Sequence, residues 1–122
     1  MLLVCDDMRE KDFEKQVKLF LSDHGCWYLK TWSNGIQREG IPDLIVCCNG
    51  YFIGAELKAE KGKPSTLQKR SINQINAAGG FAFTLYPDQF DDFKELIFGL
   101  NNGMNYLVAY RIVNKLNERW KK

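Results

Sequence analysis

No apolar run in the sequence is long enough to cross a bilayer. The longest, LIVCC and YLVAY, fall far short of the roughly 20 residues a spanning helix needs. The N-terminus MLLVCDDMREKDFEK lacks a signal peptide's charged start, apolar middle and small-residue cleavage site, so a cytoplasmic location is expected. Histidine occurs once, as His24, and the four cysteines Cys5, Cys26, Cys47 and Cys48 have no C-x-x-C spacing. That argues against a structural zinc site, and the thiols read as buried and reduced. Cys47 and Cys48 are neighbours in an apolar run and should point to opposite faces of a strand. Internal repeats and low-complexity stretches are also lacking. The net charge of +2 is too small to announce a polyanion partner by itself.

What is present suits one globular domain spanning 1–122. Apolar residues make up 45% and charged residues 26% of 122 residues, ordinary values for a folded chain with a single core. The charge is unevenly spread. LKAEKGKPSTLQKR carries Lys58, Lys61, Lys63, Lys69 and Arg70 against Glu60, and the C-terminus adds Arg111, Lys115, Arg119, Lys121 and Lys122. Such clusters can meet phosphates or simply stay solvated.

Phe13, Val17, Phe20 and Leu21 form one helical stripe, with Gly25 placed to end that helix and His24 beside it as a capping or solvated residue. CWYLKTW reads as a strand and SNGIQREG as a loop. PSTLQKRSINQINAAGG predicts a helix capped by Ser65 or Thr66, with Leu67, Ile72, Ile75 and Ala78 turned inward. FAFTLY follows as a strand, then DQFDDFKELIFGL as a helix capped by Asp88. From Asn105 onward propensity allows a strand, but Tyr106, Ala109, Tyr110, Val113, Leu116, Asn117 and Trp120 share one helical face, and we read a helix. The expected order is α-β-β-β-α-β-α, a mixed central β-sheet flanked by helices of the α/β class, with a core over about 12–86 and a C-terminal helical extension over about 88–122.

PDLIVCCNGYFIGAELK holds the strongest local signal. Asn49-Gly50 between apolar runs favours a two-residue type I′ turn. That register pairs Val46 with Ile53, Leu44 with Ala55 and Asp43 with Glu56, so the two carboxylates become cross-strand neighbours with Cβ atoms about 4.5–5.5 Å apart. Lys58 then shares a face with Glu56. Two ionised carboxylates at ~5 Å repel by roughly 3 kcal/mol at an effective dielectric of 20, and a hard divalent cation such as Mg²⁺ relieves them. Spacing alone leaves a second reading open, in which Asp43 is a turn residue and Glu56 and Lys58 are an exposed ion pair.

GIPDLIV followed by GAELK resembles the core of the PD-(D/E)XK nucleases, and EKGKPSTLQ after it resembles the small VRR-NUC branch, including stand-alone phage domains. The likeness covers about Asp12 to Tyr86. It implies a restriction-endonuclease-like fold and a metal-dependent DNA endonuclease using Mg²⁺, with Mn²⁺ as a substitute. Asp43 and Glu56 would be metal-binding acids, the Leu57 carbonyl a further ligand, Lys58 the catalytic lysine and Gln68 a supporting residue. Glu14 would be the first-helix acid that reaches the metal, unless it is a surface glutamate. Arg38 in the SNGIQREG loop, with Lys61, Lys63 and Lys69, is a candidate for DNA phosphates, although that loop also reads as a plain linker.

The expected substrate is branched DNA such as a Holliday junction. A sequence-specific or exonucleolytic nuclease and a non-catalytic DNA-binding module are the alternatives; clustered acids facing a polyanion disfavour the module. The apolar face of the last helix suggests a homodimer, with the helix folding back on its own sheet as the rival arrangement. The expected setting is the cytoplasm, that of a host cell if the chain is phage-encoded.

Overall fold

One sharp two-residue turn sets the frame of the sheet. In the computed structural model, which describes residues 10–32 and 39–121, Asn49 (φ 52°) and Gly50 (φ 86°) both adopt positive φ, as a type I′ hairpin requires. They join β2 (Leu44–Cys48) to β3 (Tyr51–Leu57) in the register Leu44 to Ala55, Val46 to Ile53 and Cys48 to Tyr51. The Val46–Ile53 and Leu44–Ala55 pairs are those expected from the sequence, but the ladder ends at Leu44–Ala55, so the expected Asp43–Glu56 pair lies just beyond its last rung. β1 (Trp27–Lys30) adds antiparallel to β2, and β4 (Phe81–Leu85) adds parallel to β3, giving the order β1-β2-β3-β4. The parallel pair needs a crossover, which α2 (Thr66–Ala77) provides.

α1 (Glu10–Asp23), α3 (Phe90–Asn101) and α4 (Tyr106–Lys121) share one core with the sheet. Phe13, Val17 and Leu21 from α1 join Leu44, Val46, Ile53, Ala55, Phe81 and Phe83 from the strands, with Phe93, Leu96, Val113 and Leu116 from α3 and α4. α2 covers the opposite side, where Gly54 lies against Pro42 and Ile75. β3 is therefore covered on both faces from Ile53 to Leu57, and Glu56 is not on an exposed edge. β4, like β1, is an edge strand, and side chains shield its outer backbone groups. Asn117 donates to the Ala82 carbonyl at 2.9 Å and accepts from the Thr84 amide at 3.3 Å, while Asn76 accepts from the Ala82 amide at 2.7 Å.

Several expectations are corrected. Within α2 the buried positions are Ser71 and Ile72, whereas Leu67 is 40% exposed and Ala78 is exposed, because the helix meets the sheet through a narrower stripe than its apolar residues suggest. Ser65 is the N-cap, in a capping box with Gln68. Asp88 does not cap α3; it sits in the short 3₁₀ turn Pro87–Gln89 and binds Arg119. The segment after Asn105 is helical, and Ala109, Val113, Leu116 and Asn117 on its apolar face are buried. α4 thus folds back on its own sheet, and the face expected to seek a second chain is already covered.

His24 ends α1, its ring nitrogen Nδ1 donating to the Phe20 carbonyl at 2.9 Å. Cys26, Cys47 and Cys48 are free thiols, with Cys47 exposed rather than buried. Burial chiefly pushes the Cys48 thiol up to about 12, leaving it unreactive at neutral pH. Among the described residues no helix is long and apolar enough to cross a membrane.

Candidate active site

The segment Gly40–Asp43 is fixed before its carboxylate is aimed. Gly40 has φ 83°, and a Cβ there would stand 2.6 Å from the Leu67 carbonyl oxygen, so the chain passes too close to α2 for any side chain. Pro42 packs against Gly54, again where a Cβ would intrude, at 3.1 Å. Thr31 holds the main chain from the other side: its amide donates to the Asp43 carbonyl at 2.9 Å and its hydroxyl to the Pro42 carbonyl at 2.8 Å. With its backbone pinned, Asp43 accepts through Oδ2 from the Leu57 amide at 2.9 Å. The carboxylate is thereby tied to the end of β3, next to Glu56 in the chain.

Glu56 is 3% exposed. Its Oε2 accepts from Gln68 Nε2 at 2.7 Å and lies 3.3 Å from Lys58 Nζ. The Gln68 amide cannot turn freely, because its Oε1 accepts from the Ser65 amide at 2.8 Å. One glutamine thus closes the capping box of α2 and orients the buried acid. Glu56 Oε1 is buried without a hydrogen-bond partner, as is the hydroxyl of Thr84, the residue opposite Glu56 on β4. Burial first, and the negative charge of Asp43 next, push the Glu56 carboxyl up to about 7, with Lys58 pulling the other way.

Asp43, Glu56, Lys58, Gln68 and the Leu57 backbone are therefore brought together. Glu14 stands beside them rather than among them. Its two oxygens pair with Lys18 at 2.8 Å and Lys30 at 2.9 Å, and Lys30 reaches Asp43 Oδ1 at 3.9 Å. Burial opposes ionisation of Glu14, but these two lysines outweigh it and hold the carboxyl below the ordinary carboxylate range. Lys61 and Lys63 are exposed on the loop after β3, and Lys69 lies on α2 with its ammonium 5.6 Å from the Trp120 ring centre. Arg38 lies outside the described residues.

Two further residues were not singled out from the sequence. Lys30 ends β1 and joins Glu14 to Asp43; strand alternation could have placed it on the inward side with Tyr28. Glu10, in the first turn of α1, is largely open to water, yet its carboxyl is raised by partial burial first and by Asp43 next, with Lys58 and Lys30 opposing. It faces the same charges.

Among the described residues no three His, Cys, Asp or Glu side chains converge as a ready-made metal centre. A hard cation that takes one or two protein carboxylates and fills its remaining positions with water and phosphate does not need three. The donor set fits such an ion: two neighbouring carboxylates, one of them buried with an oxygen lacking any partner and resisting ionisation.

A mixed sheet with helices on both faces, carrying an acid before one strand and Glu-x-Lys at the end of the next, defines a nuclease of the PD-(D/E)XK type. The family model for archaeal Holliday junction resolvase (hjc) matches residues 6–82, more than half of the chain, and the chain belongs to that family. These resolvases are nucleases that use divalent metal ions. No match was found among curated proteins or among solved structures.

Proposed function

We propose that this chain is a Mg²⁺-dependent endonuclease, also active with Mn²⁺, that hydrolyses phosphodiester bonds in four-way DNA junctions. The observation that carries the reading is the joint placement of Asp43 and Glu56 at the end of the β2–β3 hairpin, with the Lys58 amine 3.3 Å from Glu56. Asp43, Glu56 and the Leu57 carbonyl would hold the ion, which when bound supplies positive charge to the scissile phosphate and acidifies a water. Gln68 keeps Glu56 aimed at that point. Lys58 orients the attacking water and takes its proton, and the strand and the turn after it fix its stem. Glu14 acts through Lys30, which ties it to Asp43. Lys61, Lys63 and Lys69, with Arg38, supply the sequence-independent attraction to phosphates. The Lys-Gly loop keeps its likeness to stand-alone phage VRR-NUC domains, a lineage we hold as part of this proposal.

The proposed working unit is a homodimer, whose two-fold symmetry would set two sites against the paired strands of a junction. Support comes from the sheet rather than α4. Trp27, Cys47 and Phe52 are aligned across β1, β2 and β3, and Trp27 is 62%, Leu29 50% and Phe52 46% exposed. Such a patch is a candidate for association. Light scattering should give twice the 14.1 kDa chain mass, and Trp27→Ser should return it to one.

Duplex, flap, fork and four-way-junction DNA, each with Mg²⁺, Mn²⁺ or EDTA, test the activity. Dominant, EDTA-sensitive cleavage of the junction is expected. Preference for plain duplex would favour a sequence-specific or exonucleolytic enzyme, and binding without any cleavage a non-catalytic module.

A further inference from the structure

The turn after Lys58 is held by two residues that lie beyond the stretch matched to the resolvase family, which ends at residue 82. Gly62 donates its amide to the Ala59 carbonyl at 2.9 Å, closing a tight turn. That turn presses on the lysine, since a Cβ added at Gly62 would stand 3.3 Å from Lys58 Cδ. Tyr86, 2% exposed, donates its hydroxyl to the Gly62 carbonyl at 2.7 Å. The Arg119 guanidinium lies 4.1 Å from the centre of the Tyr86 ring, pairs with Asp88 through Nη1 at 2.6 Å, and reaches the Glu60 carbonyl from Nη2 at 3.4 Å. On the strand side, the Lys58 amide donates to the Leu85 carbonyl at 3.0 Å, one residue before Tyr86.

We propose that Tyr86 and Arg119 are positioning residues for Lys58, clamping the 59–62 turn against its side-chain stem so that the amine is held at the Glu56 carboxylate. This rests on the reading of Lys58 as the residue serving the attacking water. The physical need is clear. A lysine side chain has several free rotations whose entropy is lost when it is fixed, and strand backbone alone restrains only its root. Packing by a glycine turn restrains the stem, but a glycine turn is itself floppy. Two donors on carbonyl groups of that turn, those of Gly62 and Glu60, come from one buried phenol and one guanidinium stacked on the same ring, and they remove that freedom. α4 then contributes to the chemistry through its last turn, in addition to shielding β4.

The test is single-turnover cleavage of a labelled four-way junction with Mg²⁺, alongside junction affinity and thermal melts, for Tyr86→Phe, Gly62→Ala, Lys58→Ala and the double variant Tyr86→Phe/Lys58→Ala. Tyr86→Phe keeps the ring under Arg119 and loses only the hydroxyl. The expected result is a cleavage rate lowered about tenfold with junction affinity unchanged, since displacing a reacting group by about 1 Å can cost a factor of 10². Gly62→Ala, which pushes on the lysine stem from the same turn, should show the same split and decides the matter should Tyr86→Phe fold poorly. In the Lys58→Ala background the Tyr86→Phe change should have no further effect, which a general loss of stability would not produce. Arg119→Lys should recover more rate than Arg119→Ala. Wild-type rates in Tyr86→Phe and Gly62→Ala while Lys58→Ala is slow would overturn the clamp alone. A wild-type rate in Lys58→Ala would overturn the role of the lysine, and the clamp with it.

Discussion

Replacing Glu56 with glutamine should make the metal-free protein more stable while destroying its activity. Glu56 is 3% exposed, has one oxygen with no partner, and carries a carboxyl pushed up to about 7 from an ordinary 4.5 by burial and by Asp43. Its folded-state pKa lies above that of the unfolded chain, so its contribution to stability is fully present below about 4.5 and is lost as pH rises through about 7. Ionising the buried acid at pH 8 therefore costs the fold on the order of 3 kcal/mol. Glutamine has nearly the same shape, can still accept from Gln68, and never ionises. In EDTA at pH 8, Glu56→Gln should melt above wild type by roughly 5–10 °C, at about 3–6 °C per kcal/mol with some loss from the broken pairing to Lys58. At pH 5, where the wild-type acid is protonated, the two melting temperatures should nearly coincide. Differential scanning calorimetry of both proteins across this range reads the difference directly. A mutant that is less stable at pH 8, or a difference that does not change with pH, would refute the reasoning.

Gly40→Ala should destabilise the fold by about 3 kcal/mol, combining strain at positive φ with a clash on the Leu67 carbonyl; chemical denaturation measures it, and a loss under about 1 kcal/mol would show that the segment before Asp43 is free to move. Lys58→Ala should retain Mn²⁺ binding by calorimetry yet cleave junction DNA at least 10²-fold more slowly, because the amine serves the water and not the cation. Loss of Mn²⁺ binding in that variant would contradict the assignment.

The hairpin was legible because its causes are local. Asn49-Gly50 dictates the turn, the turn dictates the register, and the register sets Asp43 and Glu56 at one end of the ladder. α4 was legible from its period, but not what its apolar face meets: whether Val113 and Leu116 cover β4 or a second chain is decided by the direction in which the chain returns, which no local pattern encodes. The inward face of α2 was misjudged at Leu67 and Ala78 because contact with the sheet depends on where Gly40 and Gly54 let backbones approach. Lys30 was missed because a lysine ending a short strand looks like solvent-facing charge until Glu14 and Asp43 are seen on either side of it. Gln68 was identified from family likeness; its geometric reason, an amide locked by the Ser65 backbone, appears only in three dimensions.

The central claim is that Asp43 and Glu56 hold a divalent ion at which junction DNA is cut. Single-turnover cleavage of a four-way junction by Asp43→Asn, at protein concentrations where wild type and variant bind the junction fully, tests it most directly. The account predicts that the variant binds the junction at least as tightly as wild type, having lost a negative charge facing phosphate, and that its Mg²⁺-dependent cleavage falls to the level of wild type in EDTA. Cleavage by Asp43→Asn at the wild-type rate, still abolished by EDTA, would contradict it.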